Sequence, residues 1–104
     1  MNKIDYAARI AVYEKAIAKN GMLLQSIVAL EELSEAQKEI CKLLREEGNL
    51  EHLAEEIADA TIMLEQLRLM FNLNADVCRI MDEKVQRLAH RLERGSTNGK
   101  NRTN

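Results

Sequence analysis

The sequence predicts an all-α protein built from four helices. Leu, Ile, Ala, Met, Glu, Lys and Arg dominate and proline is absent, a composition typical of a helical protein with an aliphatic core. Apolar residues recur every three or four positions through most of the 104 residues, which is the period of an amphipathic helix. Three short breaks rich in Gly and Asn divide the pattern into four segments. These breaks are Asn20-Gly21, Gly48-Asn49 and Asn72-Leu73-Asn74.

The first helix is predicted from about Lys3 to Lys19. Its apolar stripe repeats at steps of four, three and four residues, which places it on one face. The stripe consists of Tyr6, Ile10, Tyr13 and Ile17. Gly21 is suited to the left-handed backbone position that follows a helix, so the helix should end there.

The second helix is predicted from about Leu23 to Glu47. Its early turns are apolar nearly all round, which favours burial inside a bundle or a subunit interface. The residues concerned are Leu23, Leu24, Ile27, Val28 and Leu30. Gly48 is expected to end this helix and Asn49 to cap the next one.

The third helix is predicted from about Leu50 to Phe71, where apolar residues alternate at steps of three and four over its whole length. The fourth opens at Asn74, and its polar side becomes basic with Lys84, Arg87, Arg91 and Arg94. Residues 95–104 contain no apolar side chain. We therefore expect one domain over residues 1–94 and a disordered polar tail over residues 95–104.

Composition also argues against several functional classes. The net charge of −2 is not that of a dedicated nucleic-acid binder. No apolar run is long enough to cross a membrane and no secretion signal is visible, so we expect a soluble, cytoplasmic protein without a membrane partner. Cys41 and Cys78 have no metal or redox spacing, which predicts reduced thiols in the helical core.

Two acidic motifs carry the strongest functional signal. Glu32 and Glu35 lie three residues apart on the second helix, and Glu56 and Asp59 lie three apart on the third. Each pair therefore leaves one face of its helix. If the helices pack antiparallel about residue 47, Glu35 lies across from Asp59 and four carboxylates converge. Carboxylates are hard oxygen ligands, which favours magnesium, manganese or calcium over zinc.

The acids lie on a strip whose far end is apolar, at Val28 and Met63. Like charges on a partly buried strip repel one another, so the cluster should bind a cation, take up protons or open. The alternative is an ordinary solvated face, because Glu-rich helices often carry this spacing. Gln25 falls on the same strip and is a candidate for reaching a bound ligand.

Together these residues resemble the MazG-like nucleotide pyrophosphohydrolases of the all-α NTP pyrophosphatase superfamily. The resemblance spans about residues 17–92, and its residues are Gly21, Gln25, Glu31-Glu32-Leu33-Ser34-Glu35, Glu56-Ile57-Ala58-Asp59, Lys84 and Arg87. It implies a four-helix bundle assembled as a homodimer or homotetramer. It also implies Mg²⁺, with Mn²⁺ as a substitute, held by Glu32, Glu35, Glu56 and Asp59.

The activity that this resemblance implies is hydrolysis of a nucleoside triphosphate, ribo or deoxy, to the monophosphate and pyrophosphate. Glu35 or Glu31 would orient the attacking water, while Lys84 and Arg87 would steady the departing pyrophosphate and Gln25 would contact substrate. A catalytically silent helical scaffold and a nucleotide binder without turnover are the alternatives. A di-iron bundle is set aside, because neither His52 nor His90 has a Glu three residues earlier.

Overall fold

The computed structural model describes residues 3–99, with side chains described as far as residue 95. It confirms an all-α protein of four helices, and the described residues contain no strand. The helices are α1 (Tyr6–Asn20), α2 (Met22–Leu44), α3 (Leu50–Met70) and α4 (Asn74–Gly99). The chain forms two compact units, the first holding α1 to α3 and the second holding α4.

Capping residues determine where α1 begins and ends. The Asp5 carboxylate accepts a hydrogen bond from the Ala8 backbone N–H at 2.8 Å, so the helix begins at Tyr6, three residues later than the stripe alone predicts. At the other end, Gly21 has a φ of 87° and its N–H donates to the Ile17 carbonyl at 2.8 Å. A positive φ at Gly21 agrees with the sequence prediction.

The turn between α2 and α3 begins earlier than predicted. α2 ends at Leu44 rather than Glu47, and Glu46 adopts the left-handed conformation with a φ of 61°. Gly48 then passes close to α2, where a Cβ would lie 3.2 Å from the backbone nitrogen of Leu43. A residue without a side chain is therefore needed at position 48, where the turn approaches the end of α2. Asn49 caps α3 as predicted, accepting the His52 backbone N–H at 2.8 Å.

The core of the first unit lies mainly between α2 and α3, with α1 packed against both. Its buried apolar residues are Tyr13, Ala29, Ala60 and Met63. Met63 is buried and Val28 half-buried, which confirms that the strip carrying the acids is apolar at this end. Two of the four buried residues are alanines, so the described core is thin.

Much of the apolar surface of α2 and α3 stays exposed. Leu23 is 78% exposed and Leu44 is 82% exposed. Further exposed residues recur at steps of three, four or seven, so they fall on one side of each helix. They are Leu30, Leu33 and Ile40 on α2, and Leu50, Ile57 and Leu64 on α3, with Phe71 at its C-cap. The predicted packing stripe of α3 is thus only partly covered within the described chain.

The second unit consists of α4, which is amphipathic as predicted. Met81, Val85, Leu88 and Leu92 are exposed on its apolar side, and Lys84 and Arg87 belong to its basic side. The helix continues to Gly99, through the first residues of the predicted polar tail. The rest of that tail, residues 100–104, lies outside the described residues.

Two further expectations concern the cysteines and the membrane. Cys41 and Cys78 are exposed, so the prediction that they belong to the core was wrong. Among the helices described, none has the length and apolar character needed to cross a bilayer.

Tyr13 connects α1 to α3 through a polar contact at the edge of the core. Its hydroxyl donates to the Glu65 carboxylate, and the Arg9 guanidinium lies 3.7 Å from the same carboxylate. Burial, and then the hydrogen bond to Glu65, raise the pKa of Tyr13 to about 12. The folded protein therefore holds this proton more tightly than the unfolded chain does.

This shift predicts a loss of stability at high pH. Above about pH 10 the unfolded chain releases the Tyr13 proton while the folded state keeps it until about pH 12, so the free energy of unfolding falls in that window. Tyr13→Phe should cost about 1 kcal/mol at neutral pH and should remove this part of the fall. Urea unfolding at several pH values measures both, with Tyr6→Phe at an exposed position as the control. If the free energy of unfolding fell equally in the parent and in Tyr13→Phe over this pH range, the fall could not be due to Tyr13.

Candidate metal centre

Three pairs of side chains connect α2 to α3 along one seam. In order toward the turn they are Gln25 with Gln66, Glu32 with Asp59, and Glu39 with His52. The first pair is joined by a hydrogen bond of 2.7 Å from Gln25 Nε2 to Gln66 Oε1. In the last, Glu39 Oε1 lies 3.8 Å from His52 Nδ1. Each step of seven residues along α2 matches a step of seven back along α3, so the helices are antiparallel in one constant register.

This register corrects one detail of the sequence prediction. Packing about residue 47 would have placed Glu35 across from Asp59, but Glu32 holds that position. The reason is the early end of α2 at Leu44. Because α2 ends three residues sooner while α3 begins at Leu50 as predicted, the partner of Asp59 on α2 moves by three residues, close to one helical turn.

Three carboxylates meet at the middle of the seam. Glu32, Glu56 and Asp59 each offer an oxygen, and these oxygens lie within 4.8 Å of one another. Glu32 and Glu56 are half-buried, whereas Asp59 is exposed. Three of the four predicted ligands are therefore close enough to share one cation. The local cause is the three-residue spacing of Glu56 and Asp59, with Glu32 facing them from α2.

Electrostatic repulsion is concentrated on the two half-buried members. The pKa of Glu32 is raised by burial and then by the charge of Asp59. The pKa of Glu56 is also raised, by burial and then by the charges of Asp59 and Glu32. In addition, Glu56 Oε2 is buried and has no hydrogen-bond partner among the described residues. Such a group is stabilised by gaining either a proton or a cation.

The two predicted water-orienting residues lie beside this trio. Glu35 and Glu31 are exposed and are not part of the group of three. Their charges are nevertheless felt there, because Glu35 raises the pKa of both Glu32 and Glu56, and Glu31 raises that of Glu32. The structure thus brings Glu35 near the cluster as a neighbouring charge.

Glu39 lies on the seam, as helical spacing predicts, but it was not among the predicted metal ligands. Its spacing of four residues from Glu35 was the available signal. It is only 7% exposed, and its Oε2 atom lies 3.3 Å from Lys42 Nζ, with His52 on its other side. The charge of Glu39 also raises the pKa of Glu56. The ammonium group of Lys42 offsets its negative charge.

The predicted substrate contacts lie in different places. Gln25 is 5% exposed and its amide bonds Gln66 and Asn20, so its contact with substrate stays a prediction. Lys84 and Arg87 are exposed residues of α4, in the second unit. They share the basic side of that helix with three further residues. These are His90, Arg91 and Arg94.

No protein-family model, curated protein or solved structure matches the chain. The MazG-like resemblance therefore rests only on the sequence residues quoted for it.

The repulsion in the trio predicts a pH-dependent effect of Glu56→Gln without metal. At about pH 4 both states hold most of these protons, so the variant and the parent should be similarly stable. As the pH rises, the unfolded chain ionises first and the parent loses stability relative to the variant. We expect a higher melting temperature for Glu56→Gln at about pH 8 in EDTA, and a gap that closes toward acid. Exposed Glu55→Gln is the matched control, and a similar gain there would contradict the cluster.

Proposed function

We propose that the chain is a Mg²⁺-dependent nucleoside triphosphate pyrophosphohydrolase of the MazG-like kind. It would cleave the α–β phosphoanhydride bond of an NTP or dNTP to give the monophosphate and pyrophosphate. The observation that carries the proposal is the convergence of Glu32, Glu56 and Asp59 within 4.8 Å. The rival interpretation, a solvated acidic face, does not account for two half-buried members and an unpaired buried oxygen on Glu56.

The donor set fits the ion. All three groups are carboxylates, which suit Mg²⁺ or Mn²⁺, and a bound cation would relieve the repulsion that raises two of their pKa values. Glu35 extends the set by one turn of α2 and is available as a further ligand. When bound, Mg²⁺ supplies charge neutralisation on the phosphate oxygens.

The chain's own groups supply the remaining steps. Water adds to phosphorus, the bridging P–O bond breaks, and pyrophosphate leaves. Glu35 or Glu31 would hold the water and take up its proton. Lys84 and Arg87 would bind the phosphates that the trio does not reach. Gln25 completes the proposed substrate contacts.

The proposed assembly is a homodimer or homotetramer in the cytoplasm, without nucleic acid or membrane partners. It is supported by the exposed apolar residues on one side of α2 and of α3. Monomeric proteins rarely expose contiguous apolar patches larger than a few hundred Å². A two-fold homodimer would cover these faces, because the same apolar patch of each copy would pack against that of the other.

The alternative function is a catalytically silent helical nucleotide binder or scaffold oligomer. One observation favours it, since both candidates for orienting water are exposed and lie outside the trio. The scaffold would keep the apolar faces and bind cation or nucleotide without breaking a bond.

Pyrophosphate release separates the two functions. The eight common NTPs and dNTPs would be incubated with the protein in Mg²⁺, in Mn²⁺ and in EDTA. The enzyme should release pyrophosphate and monophosphate in equal amounts from at least one of them, and only with metal. Release of orthophosphate instead, or tight nucleotide binding without turnover, would overturn the proposal.

A further inference from the structure

Two glutamines are buried where α2 meets α3. Gln25 and Gln66 are each 5% exposed, and with Glu39 they are the buried polar residues among the described side chains. Gln25 Nε2 donates to Gln66 Oε1 at 2.7 Å, and Asn20 Nδ2 donates to Gln25 Oε1 at 2.9 Å. Burying an amide is unfavourable unless it is hydrogen-bonded. The two glutamines therefore belong in the core only when they face each other.

The apolar contacts around them do not select one alignment of the helices. The buried apolar residues of α2 and α3 are Ala29, Ala60 and Met63, two small side chains and one flexible thioether. Turn geometry constrains one end of the helix pair, beyond Leu44. The glutamines lie near the other end, roughly 28 Å away along α2, where the turn has least control.

We propose that Gln25 and Gln66 act as a register lock, positioning residues that hold Glu32 across from Asp59. Each glutamine lies seven residues, about 10 Å, from the acid on its own helix. Sliding or rotating α2 by one turn would separate the amides and, in the same movement, Glu32 and Asp59. A single buried polar contact that fixes helix register is a well-attested use of such groups. Only the consequence for cation binding rests on the proposed function.

The register can be measured without any activity. In a Cys41→Ser/Cys78→Ser background, Val28→Cys and Met63→Cys place thiols three residues from the glutamines, between the lock and the acids. Diamide should close this disulfide rapidly in the parent register. Adding Gln25→Leu and Gln66→Leu together should slow closure about fivefold or more while circular dichroism stays helical, because removing both partners leaves neither orphaned.

Cation binding supplies a second readout on the chain without reporter cysteines. In Gln25→Leu/Gln66→Leu, calorimetric titration with Mg²⁺ should give a Kd raised about fivefold or more, since only the fraction in the correct register binds. Ser26→Ala, on the next residue of α2, is the control and should leave both readouts, the rate of disulfide closure and the Kd for Mg²⁺, at the parent value.

Other outcomes have definite meanings. Unchanged disulfide closure in the double Leu variant would overturn the lock. If the double Leu variant does not fold, Gln25→Met/Gln66→Met replaces it; failure of both would make the pair necessary for folding and overturn a positioning role. If disulfide closure slows in the double Leu variant but the parent binds no Mg²⁺, the register lock is supported and the proposed function is overturned.

Discussion

Asp59→Asn is expected to lower pyrophosphate release by at least about 100-fold, beyond the usual effect of removing a group that only supports a metal ligand. Asp59 is the exposed member of the trio and contributes the leading charge acting on both Glu32 and Glu56. The amide keeps the shape but removes a charge that a cation requires. Because repulsion falls as well, the metal-free variant should be at least as stable as the parent.

Two further variants test whether this loss of turnover is specific to the proposed site. Glu55→Gln removes an exposed carboxylate beside Glu56 that is not part of the trio, and it should keep turnover within about twofold, as surface substitutions usually do. Glu35→Gln should abolish turnover if that residue orients the water or completes the ligand set. Near-normal turnover in Asp59→Asn, or an equal loss in Glu55→Gln, would remove the trio from the mechanism.

Leu30→Glu and Leu64→Glu are expected to dissociate the protein into monomers. Both side chains are exposed, at 67% and 44%, on the apolar sides of α2 and α3. A charge buried in an interface without a partner costs several kcal/mol, whereas a charge on a free surface costs little. Light scattering at low micromolar concentration should give a dimer or tetramer for the parent and a monomer for each variant.

Lys38→Glu is the control for this experiment. Lys38 is an exposed polar residue of the same helix, so the assembly should persist. A monomeric parent with full activity would end the proposed assembly, as would a Leu30→Glu protein that stays assembled.

Local signals in the sequence predicted the helices well. The cap at Asn49, the positive φ at Gly21 and the start of α4 at Asn74 all follow from residue type. The end of α2 did not, because Glu46 takes a left-handed conformation that the sequence assigned to the glycine nearby. That difference of three residues moved the partner of Asp59 from Glu35 to Glu32.

The site was predictable in kind but not in detail. Spacing alone identified Glu32, Glu56 and Asp59, since helical period places them on facing sides. It could not rank them by burial, nor show that Glu39 lies beside Lys42 and His52. The Gln25–Gln66 hydrogen bond was equally hidden, because it joins residues 41 apart in sequence and depends on the register of the two helices.

Calorimetric titration of the metal-free protein with Mg²⁺ tests the trio as a cation site most directly. The parent should show saturable binding at a fixed stoichiometry per chain, stronger at about pH 8 than at about pH 5, because protons compete for Glu32 and Glu56. Asp59→Asn should lose this binding while Glu55→Gln keeps it. A parent that shows no saturable binding, or an Asp59→Asn isotherm equal to that of the parent, would contradict a metal centre formed by these carboxylates.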